Sequence, residues 1–277
     1  MSAQAPTVLA RIVESTRSEL RQRQRAEPLE ALRERALAAR AGPAGGEPRR
    51  SLADAIAGAP IGVIAEFKRR SPSAGQLREG AQVEEIVRAY ELGGACALSV
   101  LTEASHFDGS LEDLRRARAS STLPILRKDF IVDPYQVYEA LAAGADAVLL
   151  IVAALTQQEL ESLHRLAGEL GLEALIEVHD GRELHAAMSV EPAVVGINNR
   201  DLRDFSVEVG RTERLAREVP AGVRVVSESG IGAPEQLVRL EALGVDAVLV
   251  GESLMRARDP RAALRELAGD GAPSSSA

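Results

Sequence analysis

Short apolar runs alternate with amphipathic segments along most of this chain. The runs at 63–67, 95–101, 124–128, 147–151, 173–177, 194–198, 224–227 and 247–250 are rich in Val, Ile, Leu and Ala and read as eight buried strands. The segments 83–92, 134–143, 157–170, 181–188, 234–243 and 260–267 space apolar residues three and four apart, the period of a helix with one buried face. Asp133-Pro134, Thr156, Ala233-Pro234 and Asp259-Pro260 mark helix starts. They supply a side chain that accepts from the first unpaired N–H groups, or a proline whose missing N–H does no harm there. Apolar strands separated by helices predict a parallel sheet covered on its outer face.

A longer period runs through the same region. Gly94-Ala-Cys-Ala-Leu-Ser-Val, Gly144-Ala-Asp-Ala-Val-Leu-Leu and Gly244-Val-Asp-Ala-Val-Leu-Val share one pattern, and Val194-Val-Gly-Ile-Asn falls at the remaining step. A unit of two strands and two helices therefore recurs. Eight successive parallel strands with no long reversing crossover favour closure, so the fold class is α/β, a (βα)8 TIM barrel with an N-terminal helical extension. In the extension, 8–25 and 29–40 read as helices parted at Pro28. Val8, Leu9, Ile12 and Val13 give the first an apolar stripe suited to capping one end of the barrel. The expected organisation is an extension over 1–50 that ends in a Gly/Pro-rich connector, a barrel over 51–270, and a disordered polar tail over 271–277.

With 277 residues, 45% of them hydrophobic, one large domain is the simplest arrangement. A net charge of -8 argues against long-range attraction to nucleic acid or acidic membranes. No apolar run has the length of a membrane span and no secretory signal opens the chain, so a cytoplasmic location is expected. Cys96 has no partner for an internal disulfide and reads as a small buried hydrophobe. Lysine usage changes the picture more: among 33 basic residues only Lys68 and Lys128 are lysines. Burial can tune an ammonium into a proton donor, which a guanidinium does not become, so these two positions are singled out.

Working groups in such a barrel gather at the C-terminal ends of the strands. There the sequence places Glu66 and Lys68, then Lys128-Asp129, Glu177, Asn198-Asn199-Arg200 and Glu228-Ser229. The strand period of two puts Glu66 with Lys68, and Asn198 with Arg200, on the same side. Three carboxylates and two ammonium groups in one mouth would push pKa values toward neutrality and suit general acid and base catalysis; a structural ion-pair network is the alternative. Ser229-Gly230-Ile-Gly232 and Gly251-Glu252-Ser253, after the last two strands, let backbone N–H groups approach a phosphate, which points to Gly230, Gly251 and Glu252. His106, His164, His179 and His185 show no metal-ligand spacing and no metal is expected; His179 follows the fifth strand closely enough to line the mouth.

These residues resemble the indole-3-glycerol-phosphate synthase family over about residues 8–267. The most specific stretch is Ile64-Ala-Glu-Phe-Lys-Arg-Arg-Ser-Pro-Ser73. Leu126-Arg-Lys-Asp-Phe-Ile131, Leu175-Ile-Glu-Val-His179, Gly196-Ile-Asn-Asn-Arg-Asp-Leu202 and Ser227-Glu-Ser-Gly-Ile231 follow in the family's order. The resemblance implies conversion of 1-(2-carboxyphenylamino)-1-deoxyribulose 5-phosphate to indole-3-glycerol phosphate, without a cofactor. It implies that Lys128 protonates the ketone oxygen during ring closure, with Glu177 stabilising the cationic intermediate or holding the lysine. Lys68 and Glu66 then act as acid and base in loss of water, and either lysine could take the other's step. Glu228 and Asn198 orient the hydroxyls and reacting centre, Arg200 and Ser71 meet the substrate carboxylate, Phe107, Phe130 and Leu149 enclose the anthranilate ring, and Ser229 contacts substrate. The chain has no tryptophan, so any aromatic contact that the family makes from its extension must be replaced. The implied partner is a phosphorylated small molecule, with neither nucleic acid nor membrane. A monofunctional monomer or homodimer is expected, open to association with other tryptophan-pathway enzymes. The rival readings are another phosphate-binding barrel, such as a sugar-phosphate isomerase or a Schiff-base aldolase, and a catalytically silent barrel subunit.

Overall fold

The computed structural model describes residues 7–41, 50–57, 60–201 and 206–269; the connector at 42–49 and the tail at 271–277 lie outside them. The eight expected strands are β1 (Gly62–Phe67), β4 (Ala97–Leu101), β5 (Ile125–Lys128), β6 (Ala147–Ile151), β7 (Glu173–Val178), β8 (Val194–Asn198), β9 (Arg224–Glu228) and β10 (Ala247–Val250). Each begins within two residues of its apolar run. They close into one parallel ring, in which β1 bonds β4 on one side and β10 on the other. Two very short strands, β2 (Arg70–Ser71) and β3 (Gly75–Gln76), form an antiparallel ribbon in the loop after β1 that the sequence pattern does not show.

Strand alternation decides what enters the barrel. Ile64, Leu126, Leu175, Val194 and Val226 belong to the buried cluster that fills the interior. Two residues further along β1, β5, β7 and β9 the same face presents Glu66, Lys128, Glu177 and Glu228, and four residues further along β8 it presents Asn198. The charged layer is therefore the last layer of an otherwise apolar stack. The outward residues, such as Val63, Ala65 and Val148, join a second cluster beneath the helices.

The helices that cover the barrel are α4 (Val83–Gly93), α6 (Leu111–Ser120), α7 (Pro134–Ala143), α8 (Gln157–Glu169), α9 (Gly181–Met188), α10 (Gly210–Leu215), α11 (Pro234–Glu241) and α13 (Pro260–Ala268). Thr156 and Glu159 form a reciprocal capping box, while the Asp133 and Asp259 side chains accept from Tyr135 N and Ala262 N. Neither α6 nor α10 is evident in the sequence. The buried face of α6 is only Asp113, Leu114 and Ala117, and α10 has six residues before a 3-10 turn, so neither carries a stripe long enough to recognise.

The repeat has a physical content. Gly144 ends α7 in the left-handed conformation, φ 86°, and two residues later Asp146 accepts Ile125 N at 2.8 Å and Arg118 Nη1 at 2.7 Å. One hundred residues on, Asp246 accepts Val225 N at 2.8 Å and Arg224 Nη1 at 3.0 Å. Each aspartate ties the start of its strand to a neighbour at the barrel floor. A short helix, α3 (Leu52–Ala55), closes that floor: Glu173 accepts Ser51 Oγ at 2.7 Å and Ala53 N at 2.9 Å, with Leu52 and Ile56 buried above.

The extension caps the other end. Ile12 of α1 (Val8–Ala26) joins the interior cluster, with Val8 and Leu9 packed against it. Arg17 bonds Glu159 at 3.2 Å on the mouth side. The second helix, α2 (Leu29–Ala41), packs outside the barrel on α7. Among the described residues no helix is long and apolar enough to cross a membrane.

Candidate active site

The strand ends converge on one cavity of about 590 Å3. Every residue that the sequence singled out for catalysis, substrate or phosphate lines it: Glu66, Lys68, Lys128, Glu177, Asn198 and Glu228, then Ser71, Phe107, Phe130, Leu149, Arg200 and Ser229, then Gly230, Gly251 and Glu252. The two lysines of the chain thus share one cavity.

The charged groups form two linked clusters. Lys68 Nζ lies 2.5 Å from Glu66 Oε1. Glu66 Oε2 is 3.5 Å from Ser99 Oγ on the neighbouring strand. Lys128 Nζ sits 3.2 Å from Glu177 Oε2 and 3.3 Å from Glu228 Oε2. Two glycines make room for this packing: a Cβ on Gly251 would stand 2.5 Å from Glu66 Oε1, and a Cβ on Gly196 only 2.2 Å from Glu228 Oε1.

Electrostatics correct one sequence expectation. Crowding does push Glu228 to about 7: burial is the main cause, opposed by Lys128 and reinforced by the charge on Glu177. Lys128 moves away from neutrality. Burial alone would lower its pKa, but Glu228, Glu177 and Glu66 together hold it above the ordinary lysine value. Glu177 is likewise buried, which alone would raise it, yet Lys128 and then His179 keep it well below the usual carboxylate range. The site therefore holds an ammonium firmly beside one carboxylate that stays ionised and one that titrates near neutral pH.

The walls are of two kinds. Phe107 and Phe130 stand with ring centroids 6.2 Å apart, tilted by 38°, and face the cavity with Leu149. Elsewhere in the lining, Ser71 Oγ accepts from Ala74 N at 3.1 Å, and Asn198 Oδ1 accepts from Arg200 N at 3.0 Å, which fixes the turn that carries Arg200. Beyond β9, Ser229 and Gly230 are consecutive left-handed residues, φ 68° and 76°. Gln236 braces this loop, accepting from Gly232 N at 2.9 Å and donating to Gly230 O at 3.1 Å. After β10, Gly251 precedes α12 (Glu252–Arg256), and the Glu252 carboxylate pairs with Arg256 at 3.4 Å. Such turns present backbone N–H groups suited to an anion.

Comparison with known proteins agrees with this geometry. The family model described as Indole-3-glycerol phosphate synthase matches residues 9–267. The chain belongs to that family. It is 45% identical over 265 residues to indole-3-glycerol phosphate synthase 1 of Streptomyces coelicolor, covering 96% of each chain. It is 50% identical over 217 residues to the indole-3-glycerol phosphate synthase of Bordetella pertussis, covering 78% of this chain and 83% of that one. A thiamine phosphate pyrophosphorylase from Pyrococcus furiosus shares the fold, with a TM-score of 0.58 at 20% identity over 78% of this chain and 96% of the other.

Some cavity residues had no signal in the sequence. Arg256 lines the cavity one turn into α12 and donates to Ala74 O at 3.2 Å, tying that helix to the ribbon after β1. Its place depends on a five-residue helix that no periodicity announces. Two strand-end side chains are taken up by structural bonds: Asp129, although it lines the cavity, accepts from Thr102, Arg127 and Phe130 N, while Asn199, outside the lining, bonds Ser227, Ser229 O and Thr212. Arg127 itself is wholly buried and also pairs with Glu139, which Arg23 of α1 meets from outside at 2.9 Å. His179 stands behind Glu177.

Proposed function

We propose that the protein is an indole-3-glycerol-phosphate synthase acting on 1-(2-carboxyphenylamino)-1-deoxyribulose 5-phosphate. The observation that carries the reading is the placement of both lysines, each against a buried carboxylate, in a cavity with an aromatic wall on one side and glycine-rich turns on another. A substrate with an aromatic ring, a ketose chain and a phosphate offers each region a matching group. The family model over residues 9–267 supports the same substrate class.

In this reading Lys128 donates its proton to the ketone oxygen as the ring carbon bearing the carboxylate attacks the carbonyl carbon. The new bond leaves a cation in the ring, which Glu177 stabilises until carbon dioxide departs and aromaticity returns. Lys68 then protonates the departing hydroxyl, and Glu66 takes the proton whose loss completes the indole. Glu228 and Asn198 orient the hydroxyls, Arg200 and Ser71 hold the carboxylate, and Phe107, Phe130 and Leu149 enclose the ring. Ser229, Gly230, Gly251 and Glu252 receive the phosphate through their backbone. The raised pKa of Lys128 supports a donor that stays charged until a carbonyl oxygen competes for its proton.

The protein is further proposed to act in the cytoplasm as a monomer or homodimer, alone or beside other tryptophan-pathway enzymes. Purified protein mixed with the substrate should generate indole fluorescence against little background, since the chain has no tryptophan. A flat trace from folded protein that binds the substrate would overturn the assignment, and borohydride trapping of substrate on Lys128 would favour an aldolase.

A further inference from the structure

His179 follows Glu177 by two residues, yet it does not line the cavity. Its Nε2 lies 3.3 Å from Glu177 Oε1 and its Nδ1 lies 3.0 Å from Glu183 Oε2, with only 11% of the side chain exposed. Glu183 belongs to the first turn of α9 and is well anchored: its Oε2 also accepts the His179 backbone N at 2.8 Å, and Asp180 Oδ1 accepts Glu183 N at 2.8 Å. Ionised carboxylate oxygens only accept. A neutral imidazole would turn a bare nitrogen toward one of them; an imidazolium presents an N–H to each, within hydrogen-bond reach of Glu183 and as a close ion pair, off hydrogen-bond geometry, with Glu177, and among the described residues neither His179 Nε2 nor Glu177 Oε1 has a hydrogen-bond partner.

We infer that His179 is held as an imidazolium between Glu177 and Glu183 and is a positioning residue, which fixes the charge and orientation of Glu177 so that its other oxygen stays on Lys128. The effect on turnover rests on the synthase reading; the contact itself does not. Glu177 from β7 and Glu183 from α9 face the ring, and beyond Glu177 lie Lys128 of β5 and Glu228 of β9. Burial alone would strip His179 of its proton; the two carboxylates reverse this and carry its pKa up to about 10. Without the imidazolium, Glu177 would meet burial and the charge of Glu228 with Lys128, which already pairs with both carboxylates, as its remaining cation.

Two measurements test this. With four histidines in the chain, the His179 ring signals in NMR spectra are assigned by comparison with His179→Gln. In the unaltered protein the ring should remain protonated beyond pH 8, and its midpoint should fall by about one unit or more in Glu177→Gln and in Glu183→Gln. A midpoint near the ordinary histidine value of about 6.5, unchanged in both variants, overturns the contact. In turnover, His179→Gln should lose about tenfold in kcat with KM within about twofold, and the double variant with Glu177→Gln should lie within about twofold of Glu177→Gln alone. Losses that multiply, or a His179→Gln variant with unaltered kcat, overturn action through Glu177. Absence of turnover in the unaltered protein would instead fell the synthase reading, and the histidine titration would still decide the contact.

Discussion

Glu228 lies across the bare backbone of Gly196, with Oε1 where a side chain would begin. Gly196 sits in mid-β8, where a glycine weakens a strand, so its position is explained by what it admits. Gly196→Ala should displace Glu228 from Lys128 and lower kcat by about tenfold or more. Overpacking of this kind costs about 1–3 kcal/mol, which thermal melting would register alongside the assay.

Lys128→Met should leave a folded barrel with kcat reduced by about 10² to 10⁴, the usual contribution of a positioned proton donor. The loss should not be recovered at any pH, because no other lysine touches Glu177 and Glu228 among the described contacts. Near-normal turnover would show that Lys68 serves ring closure.

The raised pKa of Glu228 makes stability depend on pH with a definite sign. Its protonated form is favoured by the fold, so its contribution is fully present below the unfolded value of 4.5 and is lost as pH rises toward about 7. Glu228→Gln removes that loss. The melting temperature of the variant minus that of the unaltered protein should therefore increase between pH 5 and pH 8; a constant difference would contradict the buried, titrating Glu228.

Phe107→Ala should act on binding more than on chemistry. Removing one wall of the ring pocket forfeits about 1.5 kcal/mol of apolar contact, equivalent to roughly a tenfold rise in KM, with kcat little changed. A fall in kcat with KM intact would mean that Phe107 orients the reacting atoms rather than enclosing the ring.

The strands and the charged layer were legible because strand alternation and parallel direction are written in local sequence. Once Ile64 or Leu126 faces inward, Glu66 and Lys128 must follow, and all strand ends emerge at one rim. Asn198 and Arg200 were placed by the same rule. What escaped was set by distance in the chain. Whether Lys128 drifts toward neutrality or away from it depends on Glu177 and Glu228 arriving from β7 and β9, and no spacing near Lys128 records them. The two-residue strands β2 and β3, the floor plug α3 and the helix carrying Arg256 are too short to leave a period. His179 lies close to the fifth strand in sequence, but its tie to Glu183 depends on the first turn of α9.

Asp146 and Asp246 hold strand starts at the barrel's floor, an apolar stack away from the lysines. Part of the barrel's stability is in this way secured at a pole that carries none of the charged cavity groups. A lineage facing a hotter or colder habitat could retune the lower pole residue by residue while its chemistry stayed in step with the pathway it feeds.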